Sequence, residues 1–334
     1  MTRRGFGYGV GIAGVGKYLP EEVITNDDLE KLSGVKASDI EAKTGIVARR
    51  KAKDGQTASG MSCIAAQRAL EMAGIKAEQL SLVVTCTFTG DYVYPAVSCR
   101  IAEMLGARNA GAFDVLANCT GFQVGLGVVS DRMLVDPGCE YALLLGTALQ
   151  SRFINYKDPA SSIYFGDGAG AAVLRKVPDG YGVLSNSVWT NGKVFESVRM
   201  RGGGSSFPMR PENIHDGLQY YELDGLEVWK QVVQHQPKII SRSLSQIGMK
   251  IEDVDFFVFH QANLRLIEFL MGKMRMPMSK TITNIQHYGN TADASQAIAL
   301  CDAVTGNQIK RDDIIVISGV GAGFTFGSTV LRWY

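Results

Sequence analysis

The sequence predicts an α/β protein in which helices cover both faces of the sheet. Two observations predict this class. Short apolar runs typical of buried strands alternate along the chain with segments of helical periodicity, and 334 residues are enough for about two domain-sized units. With 46% apolar and 20% charged residues, the composition excludes a chain dominated by disorder or by a fibrous repeat.

In the first half of the chain, apolar runs of strand length are separated by helical patterns. The predicted strands are residues 80–86, 111–116, 141–146 and 169–174. The predicted helices are residues 95–105 and 121–134. The second of these helices is followed by Asp136-Pro137-Gly138, which favours a turn at that point.

The same alternation resumes in the second half, after a polar and glycine-rich stretch at residues 180–221 that we interpret as a long connection with loops. The predicted helices are residues 226–247, 264–274 and 295–304, and the predicted strands are residues 254–259, 313–318 and 325–333. Because both halves have strands that end in polar residues, we expect an internal duplication, with halves 1–175 and 176–334.

Charge, cysteines and histidines exclude several functions. A net charge of +1 gives no indication of nucleic-acid or membrane binding. No apolar run approaches the ~20 residues of a spanning helix, and no apolar targeting core follows Met1, so we expect a cytoplasmic protein. Six scattered cysteines and four histidines without paired spacing indicate reduced thiols and no metal site. The Gly9-x-Gly11-x-x-Gly14 pattern is interpreted as an edge strand and turn, because Pro20 interrupts any following helix.

Four polar or glycine-rich positions are candidates for chemistry. Cys119 lies between a predicted strand and a predicted helix, where the helix N-terminus favours a thiolate. His260 follows a strand, Asn290 could donate to an oxyanion, and the glycines around Ala322 could expose a backbone amide. Taken singly, each also suits a structural role: an inert buried cysteine, a satisfied histidine, or a turn.

The order of these positions, with their neighbours, resembles the β-ketoacyl-acyl-carrier-protein synthase III family of thiolase-fold condensing enzymes. The matching segments are Asp114-Val-Leu-Ala-Asn-Cys-Thr-Gly-Phe122, Phe165-Gly-Asp-Gly-Ala-Gly-Ala171, His260-Gln-Ala-Asn-Leu-Arg265, Tyr288-Gly-Asn-Thr291 and Gly321-Ala-Gly-Phe-Thr-Phe-Gly327. The resemblance extends over nearly the whole chain. It implies a five-layered α-β-α-β-α sandwich of two thiolase-like halves, each with a five-stranded mixed sheet, and a homodimer.

The resemblance also implies roles for individual residues. Cys119 is then the nucleophile of the first half, with His260 and Asn290 of the second half as catalytic partners. The amides of Cys119 and Ala322 would hold the oxyanion. The expected substrates are acyl and malonyl thioesters, carried on an acyl carrier protein or on coenzyme A, with no other cofactor.

Two further sets of residues are assigned by the same resemblance. Three aromatic residues are expected to line the acyl pocket, the first of them reaching across the dimer: Tyr94, Phe122 and Phe324. Three polar residues are expected to receive the carrier protein or its phosphopantetheine: Asn263, Arg265 and Lys273.

The sequence departs from the family at the donor site. Typical members clamp the coenzyme A adenine between a tryptophan and an arginine, but alignment puts Asp39 and Pro159 at these positions. We therefore expect carrier-bound donors or altered coenzyme A recognition, and a specialised pathway that makes a polyketide or a signal molecule. The alternatives are an ester- or amide-forming acyltransferase of the same fold and an inactive partner subunit of a condensing heterodimer.

Overall fold

A computed structural model describes residues 6–334 of the chain. Thirteen strands are described: β1 Tyr8–Tyr18, β2 Glu22–Thr25, β3 Ala48–Lys51, β4 Leu82–Cys86, β5 Gly111–Val115, β6 Tyr141–Ala148, β7 Gly168–Pro178, β8 Gly182–Thr190, β9 Val198–Met200, β10 Tyr221–Leu223, β11 Phe256–Phe259, β12 Ile314–Gly321 and β13 Thr325–Arg332. The described α-helices are α1 Asn26–Ser33, α2 Ala37–Thr44, α3 Ala58–Ala73, α4 Val97–Leu105, α5 Gly121–Val135, α6 Gly225–Ser245, α7 Leu264–Lys273, α8 Ile285–Tyr288 and α9 Ser295–Thr305.

Two mixed sheets form the framework, and they repeat one pattern. The first sheet has the order β1-β7-β6-β4-β5, with antiparallel pairing up to β6 and parallel pairing beyond it. The second has the order β8-β13-β12-β11 with the same sequence of directions. Where the first sheet has β5, the second has only a parallel bridge between Phe257 and Thr281. The prediction of two five-stranded sheets is therefore confirmed for the first sheet. The second sheet has four strands, with the single bridge in place of a fifth.

The helices complete five layers. Helices α3 and α4 cover the outer face of the first sheet, and α6 covers the outer face of the second together with α7, which packs on α6. Helices α5 and α9 lie between the two sheets and contact strands of both. Helix α5 is consequently buried along most of its length, as its continuous apolar and glycine sequence requires. This is the five-layered α-β-α-β-α sandwich that the resemblance implies.

The central layer explains one group of glycines. A Cβ added at Gly125 of α5 would lie 2.6 Å from the Cys86 Sγ atom and 2.7 Å from Leu144. A Cβ at Gly127 would lie 2.5 Å from the Asn186 side chain on β8. Glycine at these positions lets the helix approach both sheets, and that approach sets the depth at which the N-terminus of α5 lies.

Some sequence predictions need correction. The long connection predicted for residues 180–221 is wrong in part, because residues 182–190 form β8 and two short strands, β9 and β10, pair with each other. Several predicted ends move by a few residues: β7 continues to Pro178, beyond the predicted strand end at residue 174. The glycine pattern at Gly9 is confirmed as an edge strand, β1. The prediction about targeting residues after Met1 falls on residues 1–5, outside the described residues.

Within the described residues, no helix has the length and apolar character needed to cross a membrane. All six cysteines are free thiols, four of them buried.

Candidate active site

The Cys119 side chain lies where the chain passes from β5 into the central helix α5. A single 3₁₀ turn, Asn118–Thr120, joins the two elements, and α5 begins at Gly121. Asn118 has a φ of 49°, in the left-handed region that asparagine tolerates better than most residues. Its side-chain amide donates a hydrogen bond to the Ala322 carbonyl oxygen at 3.1 Å. This bond ties the cysteine turn of the first half to a turn of the second.

The second turn joins β12 to β13 and lies directly against the cysteine. A Cβ added at Gly321 would lie 2.5 Å from the Ala117 carbonyl oxygen and 3.2 Å from the Cys119 amide nitrogen. Only glycine permits this approach. Neither the Cys119 nor the Ala322 N–H donates to another residue among those described, so both remain free to donate to an oxyanion.

His260 follows the last residue of β11 and is held on both sides. Its backbone N–H donates to the Ser318 carbonyl oxygen at 3.0 Å, and its Nδ1 atom lies 2.6 Å from the Ser295 Oγ atom. Burial lowers the pKa of His260 to about 3, so the imidazole is neutral at physiological pH.

Ser295 is the hydrogen-bond partner of the His260 Nδ1 atom. Its Oγ atom accepts from the Gln261 N–H at 3.4 Å and can donate its own hydrogen to His260 Nδ1. When Ser295 donates in this way, the proton of the neutral ring is on Nε2. Sequence reasoning missed Ser295, since a serine at the start of a helix usually acts as a cap.

Asn290 is fixed by its backbone and by one side-chain oxygen. Its N–H donates to the Tyr164 carbonyl oxygen at 2.8 Å, and its own carbonyl oxygen accepts from Gly166 at 3.0 Å. The Oδ1 atom accepts from the Ala292 N–H at 2.9 Å. The side-chain NH₂ group is therefore left to donate elsewhere.

The segment 290–295 brings the three predicted residues together. Asn290 begins the segment, and Ser295 at its end contacts His260. Between them, Ala292 and Ala294 belong to a buried apolar cluster against which Cys119 packs. The predicted set Cys119, His260 and Asn290 thus converges on one stretch of backbone.

The cysteine thiol is strongly desolvated, and an acidic residue contributes to this environment. Burial raises the pKa of Cys119 well above its usual range, with a further contribution from Asp293. Asp293 lies within the 290–295 segment and is fully buried. The sequence pattern gave no indication of it, because one carboxylate before a helix is typical of a capping position.

The predicted acyl-pocket residues lie in three different surroundings. Tyr94 is 84% exposed. Phe122 is fully buried in the largest core cluster, and Phe324 is buried in the core of the second half, stacked on Phe326. The structure does not bring these side chains together in one chain, and their role as pocket walls stays a prediction.

An aromatic cluster that the sequence did not predict lies beside the site. Tyr221 of β10 packs against Phe88 and Phe165, with ring centroids 6.1 and 5.0 Å apart, and its hydroxyl donates to Gln150. Phe88, like Cys119, also packs against the buried apolar cluster that contains Ala292 and Ala294. The stretch 180–221, expected near the mouth of the site, therefore reaches it through Tyr221.

Two of the three predicted carrier-protein residues lie at the N-terminus of α7. Asn263 caps this helix and donates to the Lys43 carbonyl oxygen at 3.2 Å. Arg265 donates to the Ala42 carbonyl oxygen at 3.2 Å and pairs with Glu268. Both hold the C-terminal end of α2, the helix that carries Asp39.

Lys273 is not part of this group. It lies at the other end of α7, about 12 Å along the helix from Arg265 at ~1.5 Å per residue. Its ammonium group donates to the Val233 carbonyl oxygen on α6. Asp39 and Pro159, which stand at the expected adenine positions, are both exposed.

The part of the chain that the structure describes contains no candidate metal site. No group of three or more histidine, cysteine or acidic side chains there is arranged to hold an ion.

Taken together, the five-layered fold and a cysteine at the start of the buried central helix are those of the thiolase-fold condensing enzymes. The model of 3-oxoacyl-[acyl-carrier-protein] synthase III matches residues 113–192, and that of its C-terminal domain matches residues 244–333. The chain belongs to the 3-oxoacyl-[acyl-carrier-protein] synthase III family.

Individual relatives support this assignment over almost the full length. The chain is 37% identical over 324 residues to the β-ketoacyl-[acyl-carrier-protein] synthase III of Syntrophomonas wolfei, with 97% of each chain covered. The crystal structure of the synthase III from Aquifex aeolicus has a TM-score of 0.89 at 33% identity, covering 97% of this chain and all of that one. The priming β-ketosynthase of the R1128 polyketide pathway also has a TM-score of 0.89, at 30% identity, covering 97% and 96%.

Proposed function

We propose that this protein is a β-ketoacyl synthase III-type acyltransferase that condenses an acyl group with a malonyl thioester. The observation that carries the proposal is the convergence of Cys119, His260 and Asn290 on the segment 290–295, at the N-terminus of the buried helix α5. Relatives at 37% and 38% identity bear the name of this synthase.

In the first half-reaction the Cys119 thiolate attacks the carbonyl carbon of an acyl thioester. The developing oxyanion accepts hydrogen bonds from the free amides of Cys119 and Ala322. The carrier thiol leaves, and the acyl group stays on sulfur. The N-terminus of α5 favours the thiolate, in opposition to the desolvation that raises the pKa of the thiol.

In the second half-reaction a malonyl thioester loses carbon dioxide and forms an enolate. Its negative oxygen requires donors that are themselves neutral, because an adjacent cation would stabilise the departing carboxylate as well. The neutral His260, protonated on Nε2, and the free amide of Asn290 supply such donors. The carbanion then attacks the acyl carbon and releases Cys119.

For the donor we propose acyl groups carried on an acyl carrier protein, in a specialised pathway. Exposed Asp39 cannot stack on adenine and would repel the nearby phosphate of coenzyme A, and exposed Pro159 has no guanidinium group to complete the clamp. Asn263 and Arg265 remain partly exposed beside α2 and are the proposed contacts for the carrier arm or its acidic helix. We propose that Lys273, at the other end of α7, contacts the carrier protein only at a distance from Asn263 and Arg265.

We further propose a homodimer in which Tyr94 reaches the partner's acyl pocket. Strand β5 is one of the two edge strands of the first sheet, with no further strand paired to it among the described residues, and Phe113 on it is exposed. Val93, Tyr94 and Leu116 nearby are 89%, 84% and 71% exposed. An open edge beside exposed apolar side chains is typical of a pairing surface.

The repeated strand order supports the proposed division into two halves. The N-terminal half, residues 1–175, supplies Cys119, and the C-terminal half, residues 176–334, supplies His260 and Asn290. The link between β7 and β8 lies close to this division.

The test is intact-protein mass spectrometry after incubation with matched acyl carrier protein and acyl-coenzyme A donors, with Cys119→Ala as control. We expect a mass gain at Cys119 from carrier-bound acyl groups and release of a β-ketoacyl product on addition of malonyl carrier protein. Efficient gain from short acyl-coenzyme A would contradict the donor proposal. Acylation without carbon–carbon bond formation would favour an ester- or amide-forming enzyme, and no acylation by any donor would favour an inactive subunit.

A further inference from the structure

One buried acidic side chain at the candidate site has no hydrogen-bond partner. Asp293 is 0% exposed, and neither of its carboxyl oxygens is bonded among the described residues. Asp167, also fully buried, is different: it accepts from the Ala52 N–H and from the N–H and Oγ of Ser151. Buried carboxylates normally accept hydrogen bonds, as Asp167 does. Because Asp293 accepts none from another described residue, its surroundings disfavour the charged form.

The Asp293 carboxyl lies against the start of α5. A Cβ added at Gly121, the first residue of that helix, would lie 2.7 Å from the Asp293 Oδ1 atom. Cys119 is two residues earlier in the chain and packs with Ala292 and Ala294, the two neighbours of Asp293. The acid and the thiol therefore share one desolvated region at the same helix N-terminus.

The groups that face the carboxyl offer it no positive charge. The titratable side chains that interact with it are Cys86 at the end of β4, Cys119, and Tyr221 on β10. Strands β6 and β7 and helices α5 and α9 also pack against this turn, and none of their described titratable side chains interacts with the carboxyl. Burial raises the pKa of Asp293 well above its usual range.

The two groups compete for one negative charge. The N-terminus of α5 carries a partial positive charge that favours an anion nearby. A carboxylate in the same place would satisfy that dipole and repel a thiolate, whereas a neutral acid would do neither. Two close ionisable groups in a low-dielectric region then lose their protons in two separated steps, and ionisation of the acid in the first step moves ionisation of the thiol to higher pH.

We propose that Asp293 is a positioning residue that controls the ionisation of Cys119: the neutral acid permits the thiolate, and the carboxylate suppresses it. The inference rests on the proposed role of Cys119 as the nucleophile. Asp293 takes part in no bond change. During acylation the thiol proton goes to solvent, the sulfur bonds to the acyl carbon, and the leaving carrier thiolate recovers a proton from solvent.

The test is the pH dependence of alkylation at Cys119 by iodoacetamide, followed residue by residue with peptide mass spectrometry. In Asp293→Asn, which keeps the shape but cannot ionise, we expect the midpoint for Cys119 to move down by about one pH unit, a tenfold gain in thiolate on the rising limb. Exposed Cys99 in the same chain is the internal control and should keep its midpoint. Cys119→Ala gives the background.

An unchanged midpoint in a folded Asp293→Asn protein overturns the proposal. Asp293→Ala, which only removes atoms, carries the same expectation if the asparagine variant does not fold. If neither folds, the infrared carbonyl band of a protonated carboxyl in the wild-type chain at neutral pH decides, and its absence overturns the proposal. Alkylation requires no acyl donor, so a failure of the condensing function would leave this result unaffected.

Discussion

The hydrogen bond between Ser295 and His260 links a side chain outside the reacting group to the proposed decarboxylation. Ser295 Oγ lies 2.6 Å from His260 Nδ1, and when it donates its hydrogen to that atom the imidazole proton is on Nε2. Without it the ring can take the other tautomer and lose its donor to the enolate. Acylation of Cys119 does not depend on that donor.

We therefore expect Ser295→Ala to slow malonyl condensation about fivefold to tenfold, the effect of one hydrogen bond worth ~1 kcal/mol, while acylation of Cys119 changes little. Single-turnover acylation and product formation measured on the same enzyme separate the two steps. Ser245→Ala, which removes an exposed hydroxyl bonded only within α6, is the matched control. An equal loss in both steps would indicate a structural role for Ser295.

His260 also makes stability depend on pH. Its pKa is about 3 in the folded protein against 6.5 for the free side chain, so below pH 6.5 the unfolded chain binds more protons. Stability should fall as the pH drops from 6.5 toward 3, where the folded form also becomes protonated. Urea unfolding at pH 7 and at about pH 4.5 should show a smaller loss for His260→Gln than for the wild type, and equal losses would contradict the assignment.

Residue types at strand ends made Cys119 and His260 candidates, and the resemblance to a family gave them and Asn290 their expected catalytic roles, but neither indicated the residues that support them. Cys119 and His260 each follow a strand, and a sequence pattern can reveal such positions. Ser295 and Asp293 occur in a stretch that has the ordinary pattern of a helix start. Their importance comes from contacts with residues distant in the sequence, such as the Cys119 turn, which no local pattern contains.

Strand β6 packs directly against the segment 290–295, and the backbones of the two are in contact at Gly146. A Cβ on Gly146 would overlap the Asp293 carbonyl oxygen and lie 3.2 Å from the Ala294 Cα atom. Because the neighbour is main chain in a packed layer, it has little room to move. Any substitution here displaces the segment that gathers the candidate residues.

We expect Gly146→Ala to lower the free energy of unfolding by about 1–3 kcal/mol and to reduce Cys119 acylation. Gly272→Ala is the control, since no atom of the described residues lies within 4 Å of its added Cβ on the exposed side of α7, and it should be neutral or slightly stabilising. Denaturant unfolding and the acylation assay are the measurements. Equal stability of the two variants would contradict this expectation, because it would show that the segment 290–295 can move away from β6 at little cost in free energy.

Among the strands that the sequence analysis does not predict, β8 is the longest, and it shows where element prediction fails. Gly182–Thr190 is an edge strand with mixed polar and apolar positions, and its N-terminal region carries a register shift opposite Val330 and Leu331. Such a strand has weak alternation, and its pairing with β13 is visible only in the sheet. The central strands, which are continuously apolar, were predicted with small errors at their ends.

At the scale of the whole molecule, the open β5 edge of the first sheet leads us to predict that the chain forms a dimer. The exposed apolar side chains around β5 belong to a surface that pairing with a second copy would cover. Sedimentation of the wild-type chain should therefore give twice the chain mass. Its cytoplasmic location, expected from the sequence, stays a prediction.

Val93→Asp or Leu116→Asp should convert this dimer to the monomer, because either change buries an unpaired charge in the interface. Leu226→Asp, on an exposed position of α6, is the control and should leave the sedimenting mass unchanged. A wild-type monomer, or a dimer indifferent to the substitutions at Val93 and Leu116, would contradict the assembly proposed.

The shared segment 290–295 has a consequence for the order in which the protein is made. The Cys119 turn is synthesised about 170 residues before Ala292 and Ala294, which cover it, and about 200 before the Ala322 turn that Asn118 holds. While the chain is emerging from the ribosome, the helix that follows the cysteine has no second sheet to pack against. The Cys119 thiol therefore acquires its surroundings only near the end of translation, and we expect the proposed acylation to require a nearly complete chain.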